Sequence, residues 1–172
     1  VVIKKLSRCR FVRNFILAVI LSVGAASIVN AKNSITKVNM KEAATIASSL
    51  IKNKNLLCVE FDAKDWKDDE DFFEDIGRKI KFPQSRWNYE SWCLDEFEDL
   101  MRDLIWTGDK SIVIIIKNLS KFNRNDSEVE RHILTECFEN VILPFWEGKP
   151  GTHSVVDCYP CMKPKKFNVY YT

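Results

Sequence analysis

The sequence predicts an α/β fold in which a small parallel sheet is packed on helices. Three runs of strand length alternate with segments that have the apolar spacing of amphipathic helices. One of these runs, Ser111–Lys117, is apolar almost throughout, which is typical of a strand buried on both faces of a parallel sheet. The order of the elements predicts right-handed crossovers within one domain of ordinary size.

Residues 1–31 have the pattern of a signal peptide. Basic residues without acidic ones lie between Lys4 and Arg13, and an apolar run over Phe15–Val29 follows. That run is shorter than the about 20 residues that a membrane span needs, and it ends in small residues that suit a signal peptidase. We expect cleavage after Ala31 and a periplasmic or secreted protein. An uncleaved membrane anchor and a buried core helix are the alternatives.

Residues 32–55 are expected to form a linker or a short helix ahead of a domain that spans residues 56–172. Met40–Ile51 has an Ala-rich composition and apolar residues at helical spacing. Such a helix either packs on the domain or separates it from the membrane.

The domain is expected to begin with a strand at Leu56–Asp62. Four acidic residues at 68–71 then favour a helix start, and basic residues near Lys81 match the negative end of its dipole. The apolar face of this helix consists of Phe72, Phe73, Ile76 and Ile80.

The second half of the domain is expected to contain a third helix and a last strand. The helix should run from Val129 to about Val141 and end before Pro144, because proline interrupts helical hydrogen bonding. A loop over 145–166 leads to the strand Phe167–Tyr171. The residues of the helix that should face inward are Ile133, Leu134, Cys137, Phe138 and Val141.

An aromatic loop leads into an amphipathic helix in the middle of the chain. The loop contains Pro83, Tyr89 and Trp92, and the helix is expected to start near Leu94. Its apolar stripe repeats at three- and four-residue spacing and consists of Leu94, Phe97, Met101 and Leu104.

The same helix has an acidic side. Asp95 and Asp99 are four residues apart, and Glu98 lies beside them. Like charges at this spacing cost a helix a few tenths of a kcal/mol, and packing does not need them. An acidic patch bordered by aromatic residues therefore indicates a surface for a basic partner. A solvated helix face is the alternative.

The acidic charge is local, since the whole chain has a net charge of +2. Residues 59–106 carry 15 acidic and 7 basic side chains. A segment of this sign repels phosphate, so nucleic acid is not expected to be its direct ligand.

Several short runs between Leu57 and Trp106 together resemble the barstar family, the intracellular inhibitors of barnase-type ribonucleases. The later strands and helix follow in the family's order, so the resemblance extends over about residues 56–172. The runs that carry it are Val59–Asp62 with Trp66, Asp71–Phe73, Phe82-Pro83, Tyr89, and the acidic helix Leu94–Leu104.

The resemblance implies a three-stranded parallel sheet packed on helices, and inhibition by occlusion of a ribonuclease active site. Asp95 and Asp99 match the family's acidic contacts, and Tyr89 matches an aromatic contact. We expect Trp92 and Glu98 to contact the partner beside them. Where the family has a loop glycine, a loop asparagine and a contact tryptophan, this chain has Ser91, Cys93 and Glu98.

The expected partner is a basic ribonuclease or a nuclease-type toxin, bound by a monomer that is not an enzyme and needs no cofactor. A membrane would be a partner only if residues 1–31 are not cleaved. A different reading is an exported interaction domain that kept this fold and lost inhibition.

Cys158 and Cys161 form a CxxC motif in a proline-rich loop. A structural disulfide between them suits an oxidising compartment. The alternative function is that of an exported thiol-redox or metal-binding protein, with a zinc site drawn from these two residues, Cys137 and His153.

Overall fold

Four parallel strands, in the order β1-β4-β3-β2, form the sheet of this protein. The computed structural model describes residues 32–83, 94–122 and 132–172. The strands are β1 (Ser34–Lys37), β2 (Leu56–Asp62), β3 (Ser111–Lys117) and β4 (Phe167–Tyr171). The α/β class and the parallel sheet are thus confirmed, and β2, β3 and β4 have their predicted bounds.

The expectation of a three-stranded sheet is wrong, because β1 adds a fourth strand beside β4. Ser34 is in register with Asn168, and Lys37 with Tyr171. This strand has four residues, of which Ile35 alone is large and apolar, so no hydrophobic pattern in the sequence predicted it. Its start is fixed by the side chain of Asn33. That side chain donates to the Lys165 carbonyl at 3.2 Å and accepts from the Phe167 N–H at 3.0 Å.

Helix α1 (Met40–Leu50) packs on β2 and β3. Asn39 caps it by accepting from the Glu42 N–H at 3.0 Å, while the Glu42 carboxylate accepts from the Asn39 N–H at 2.9 Å. This reciprocal cap satisfies two donors that a helix start leaves open. The helix lies against the sheet, and its buried side consists of Ala43, Ile46, Ala47 and Leu50.

Helix α2 (Asp69–Ile80) begins after Asp68, which accepts from the Asp71 N–H at 3.1 Å. It ends at Lys81, whose φ of 63° closes the last turn in the left-handed region. All four residues of its predicted apolar face are buried.

Helix α3 (Leu94–Asp103) is followed by a 3₁₀ turn at Ile105–Thr107. Phe97, Met101 and Leu104 of the predicted stripe are fully buried, and Leu94 is half-buried. Leu100 is buried as well, which widens the apolar side of the helix.

Helix α4 (His132–Ile142) is wound as a π-helix and continues directly into α5 (Leu143–Glu147). The predicted end of this helix near Val141 is confirmed to within one residue. Pro144 does not interrupt the helical path, because it lies in the first turn of α5, where no N–H is needed. The predicted start near Val129 lies outside the described residues. The π winding, with its i→i+5 hydrogen bonds, also moves the last buried position of α4 from Val141 to Ile142.

Aromatic side chains join α2, α3, α4 and β4 into one core. Phe97 of α3 lies 5.5 Å from Phe72 and 6.2 Å from Phe138, measured between ring centroids. Phe138 in turn lies 6.2 Å from Phe167 of β4. Each pair of this kind adds about 0.5–1.5 kcal/mol beyond area burial, so α3 is firmly held on its inner side.

No helix within residues 32–83, 94–122 and 132–172 is long and apolar enough to cross a membrane.

Candidate functional site

Two tryptophans fix the position of α3. The indole Nε1–H of Trp146, a fully buried residue of α5, donates to the Met101 carbonyl at 2.9 Å. The indole of Trp106, just after α3, donates to the Ile80 carbonyl at 3.2 Å. The helix is therefore held against both α5 and α2. These contacts also fix which side of the helix faces solvent.

The outer side of α3 carries three carboxylates, Asp95, Glu98 and Asp99, which we call the acidic face. Asp95 and Asp99 are exposed and Glu98 is half-buried. Within the described part of the chain, the Asp95 carboxylate makes no ion pair with a basic side chain. The three predicted acidic contacts thus lie together on a rigid helix, as expected from their spacing.

Arg102 lies at the end of the acidic face, one turn beyond Asp99. Its guanidinium forms an ion pair with Asp99 Oδ1. Its Nε–H donates to the Glu98 carbonyl at 3.4 Å, and its Cζ lies 6.0 Å from the ring centre of Phe145. One cation is therefore built into the acidic face.

Glu98 has a pKa above the usual range of a glutamate. Partial burial is the main cause, since it disfavours the charged form, and the neighbouring charges of Asp95 and Asp99 add to it. The positive charge of Arg102, and that of His132 when protonated, act in the opposite direction. Glu98 thus lies where α3 meets α4.

Helices α3 and α4 run side by side in the same direction. Glu98 senses the charge of His132 at the start of α4, whereas Met101 is bonded to Trp146 beyond its end. The two helices are packed directly against each other.

A second acidic cluster follows β2, and two of its carboxylates, Asp62 and Asp75, are engaged by neighbouring side chains. Asp75 accepts from the Trp66 indole at 3.3 Å and pairs with Arg78 at 2.6 Å. Burial opposes a low pKa for Asp62, but hydrogen bonds from Lys64 and Asn118 outweigh it and lower this pKa below its usual range. Asp62 and Asp75 are thus held by local partners, whereas Asp95 of the acidic face has no ion pair among the described residues.

The structure brings together three of the five predicted partner contacts. The other two, Tyr89 and Trp92, lie outside the described residues. Sequence reasoning missed Arg102 and His132. The spacing of Asp99 and Arg102, three residues apart on a helix, would have revealed the first pair. Nothing in the sequence brings His132 close to Glu98.

The CxxC motif lies on the surface. Cys158 is the last residue of the one-turn helix α6 (Val155–Cys158), and both Cys158 and Cys161 are exposed free thiols. Neither lies at a helix N-terminus, the position that activates catalytic thiols. The disulfide between them stays a prediction.

The zinc site considered from the sequence is not assembled. Cys137 is fully buried in α4, whereas His153, Cys158 and Cys161 are exposed. In the described ranges, no group of three or more histidine, cysteine or acidic side chains could hold a metal ion.

The comparisons with known proteins gave one match. A family model described as Barstar (barnase inhibitor) matches residues 56–156, from the first residue of β2 into α6. Neither the search of curated proteins nor that of solved structures gave a match. Members of the matched family are inhibitors rather than enzymes, and they bind ribonucleases such as barnase. The match spans more than half of the chain and includes the whole acidic face, so this protein belongs to the barstar family.

Proposed function

We propose that this protein inhibits a basic, barnase-type ribonuclease by placing its acidic face in the active site. One observation carries the proposal: Asp95, Glu98 and Asp99 project from a helix whose inner side is fixed in the core. Membership in the barstar family supports the class of partner. We propose that the protein acts as a binding protein and has no enzymatic activity of its own.

The chemistry of such a partner fits carboxylates. A ribonuclease site holds phosphate with arginine, lysine and histidine side chains, and carboxylates can replace the phosphates as their charge partners. In this proposal Asp95 and Asp99 make the central ion pairs and Glu98 supports them. Tyr89 and Trp92 cover the cleft beside them. Opposite potentials on the two proteins would also speed their encounter.

The test is a titration of the purified protein into a barnase-type ribonuclease while RNA cleavage is followed. We expect stoichiometric inhibition. Asp95→Ala and Asp99→Ala should each weaken binding by about 2–5 kcal/mol, a range that already draws on barnase–barstar complexes. Glu74→Ala is the matched control, because Glu74 is an exposed acid on α2, and it should change the affinity little. Absence of inhibition at micromolar protein would refute the proposal.

We also propose that residues 1–31 direct export, so that the protein meets its target outside the cytoplasm. The basic start and the apolar run over Phe15–Val29 support this, and they lie outside the described residues. Cleavage after Ala31 leaves Lys32 as the first residue. The mass of the protein from the periplasm of a bacterial host measures this, and an uncleaved protein in the cytoplasm would contradict it.

A further inference from the structure

We propose that Arg102 is an internal competitor that the cation of the partner must displace from Asp99. The inference rests on the proposed function of the acidic face and names a residue that sets its affinity. Arg102 belongs to the same helix as the three carboxylates, and its positive charge lies among them.

Three contacts hold Arg102 against the acidic face. Its terminal nitrogen pairs with Asp99 Oδ1, its Nε–H donates to the Glu98 carbonyl at 3.4 Å, and its guanidinium carbon lies 6.0 Å from the Phe145 ring centre. The side chain of Arg102 is 35% exposed and that of Asp99 is 65% exposed. The pair is therefore formed in the free protein and is open to replacement from solvent.

The ion pair joins one terminal nitrogen of the Arg102 guanidinium to one oxygen of the Asp99 carboxylate. Arg102 directs one terminal nitrogen at Asp99, while its Nε serves the Glu98 carbonyl. A guanidinium from a partner would need both oxygens of Asp99 for a bidentate pair, the stronger arrangement. Asp99 Oδ1 must consequently leave Arg102 before the partner can bind in this way.

The positive charge of Arg102 also opposes binding of a basic partner. It offsets one of the three negative charges of the acidic face and repels the basic groups that the face is proposed to attract. Electrostatic attraction between the two proteins raises the association rate of such complexes. Loss of this charge should therefore speed association as well as strengthen the complex.

The test compares Arg102→Gln with the unchanged protein in the ribonuclease titration. A like charge removed about 8 Å from the cation of the partner should strengthen binding about fivefold, with a larger gain at low salt. In an Asp99→Asn background the part of the gain that comes from competition for Asp99 should disappear, and only the part that comes from charge repulsion should remain. Lys54→Gln removes the same charge from an exposed turn before β2 and should leave the affinity almost unchanged.

A second measurement tests the pair without the ribonuclease. In the free protein, Asp99→Asn should shift the NMR signals of the terminal Nη–H groups of Arg102, which pair with Asp99, and unchanged signals would overturn the inference whatever the target. Equal or weaker binding by Arg102→Gln, when the unchanged protein inhibits, would show that Arg102 orients Asp99 rather than competing for it. If no variant inhibits, Arg102→Gln included, the proposed function itself fails, and the inference that rests on it fails too.

Discussion

Glu98 carries a negative charge where partial burial disfavours it. Its pKa is raised in the folded protein, so the folded state binds a proton more readily than the unfolded chain does. Above the folded-state pKa, the charge therefore lowers the free energy of unfolding. Below the unfolded-state pKa, near 4.3 for a glutamate, both states are protonated and the effect disappears. A charged side chain that lowers the stability of the fold is expected to serve binding instead, and Glu98 fits this description.

Glu98→Gln should consequently stabilise the fold and weaken inhibition at once. At pH 7 we expect the free energy of unfolding to rise by at most about 0.5 kcal/mol, because the side chain is only partly buried and solvent still screens its charge. At pH 3 the variant and the unchanged protein should unfold alike. Urea unfolding at the two pH values measures this. A lower stability at pH 7 would mean that the charge of Glu98 contributes to the fold.

At the scale of the element, α3 depends on partners that lie far from it in sequence. Its own stripe packs Phe97 and Met101 into the core, but Trp146 of α5 also bonds to its last turn, at the Met101 carbonyl. The start of α3 carries the acidic face, and its end is held by this indole. Loss of the hydrogen bond at the end of α3 is therefore expected to disturb the acidic face at its start.

Trp146→Phe removes this hydrogen bond and leaves a small cavity. We expect the free energy of unfolding to fall by about 1–3 kcal/mol, from the lost bond and the lost packing together. Inhibition of the ribonuclease should weaken as well. The matched control is Trp106→Phe, which also removes an indole hydrogen bond but at a half-buried position, and its effect should be smaller. Equal losses in the two variants would argue against a special role for Trp146.

At the scale of the whole molecule, the sheet reaches beyond the part that matches the family. The match covers residues 56–156, whereas β1 and α1 lie before it and β4 lies after it. Asn33 connects these outer parts. Its amide donates to the Leu143 carbonyl at 3.3 Å and to the Lys165 carbonyl at 3.2 Å, and its oxygen accepts from the Phe167 N–H at 3.0 Å.

Asn33→Ala should therefore weaken the whole fold. Three hydrogen bonds are lost and two strands are released at their starts, so we expect the free energy of unfolding to fall by about 1–3 kcal/mol. Urea unfolding followed by circular dichroism measures the change. The control is Asn53→Ala, because the side chain of Asn53 makes one exposed local hydrogen bond, which it accepts from the Asn55 N–H at 3.0 Å. If Asn33→Ala is no more destabilising than this control, the hydrogen bonds of Asn33 contribute little to the fold.

Local signals in the sequence were sufficient to predict several elements. The apolar residues of β2, β3 and β4 predicted these strands at their observed bounds, most clearly for β3, which is buried on both faces and apolar almost throughout. The acidic residues at 68–71 predicted the start of α2, and the apolar spacing predicted its buried face. The spacing of Asp95, Glu98 and Asp99 also placed the acidic face on one side of α3, since helix geometry alone decides which residues share a side.

Features that depend on partners distant in the sequence arise only when the elements pack together. Ser34–Lys37 is a strand because β4 lies beside it, and four residues carry no such signal on their own. Pro144 continues the helical path because it lies in the first turn of α5, which follows α4 directly. The contact of Arg102 with Phe145 and the closeness of His132 to Glu98 likewise arise when α3 packs beside α4 and α5. A sequence pattern reports which residues share a face of an element, whereas packing determines what that face meets.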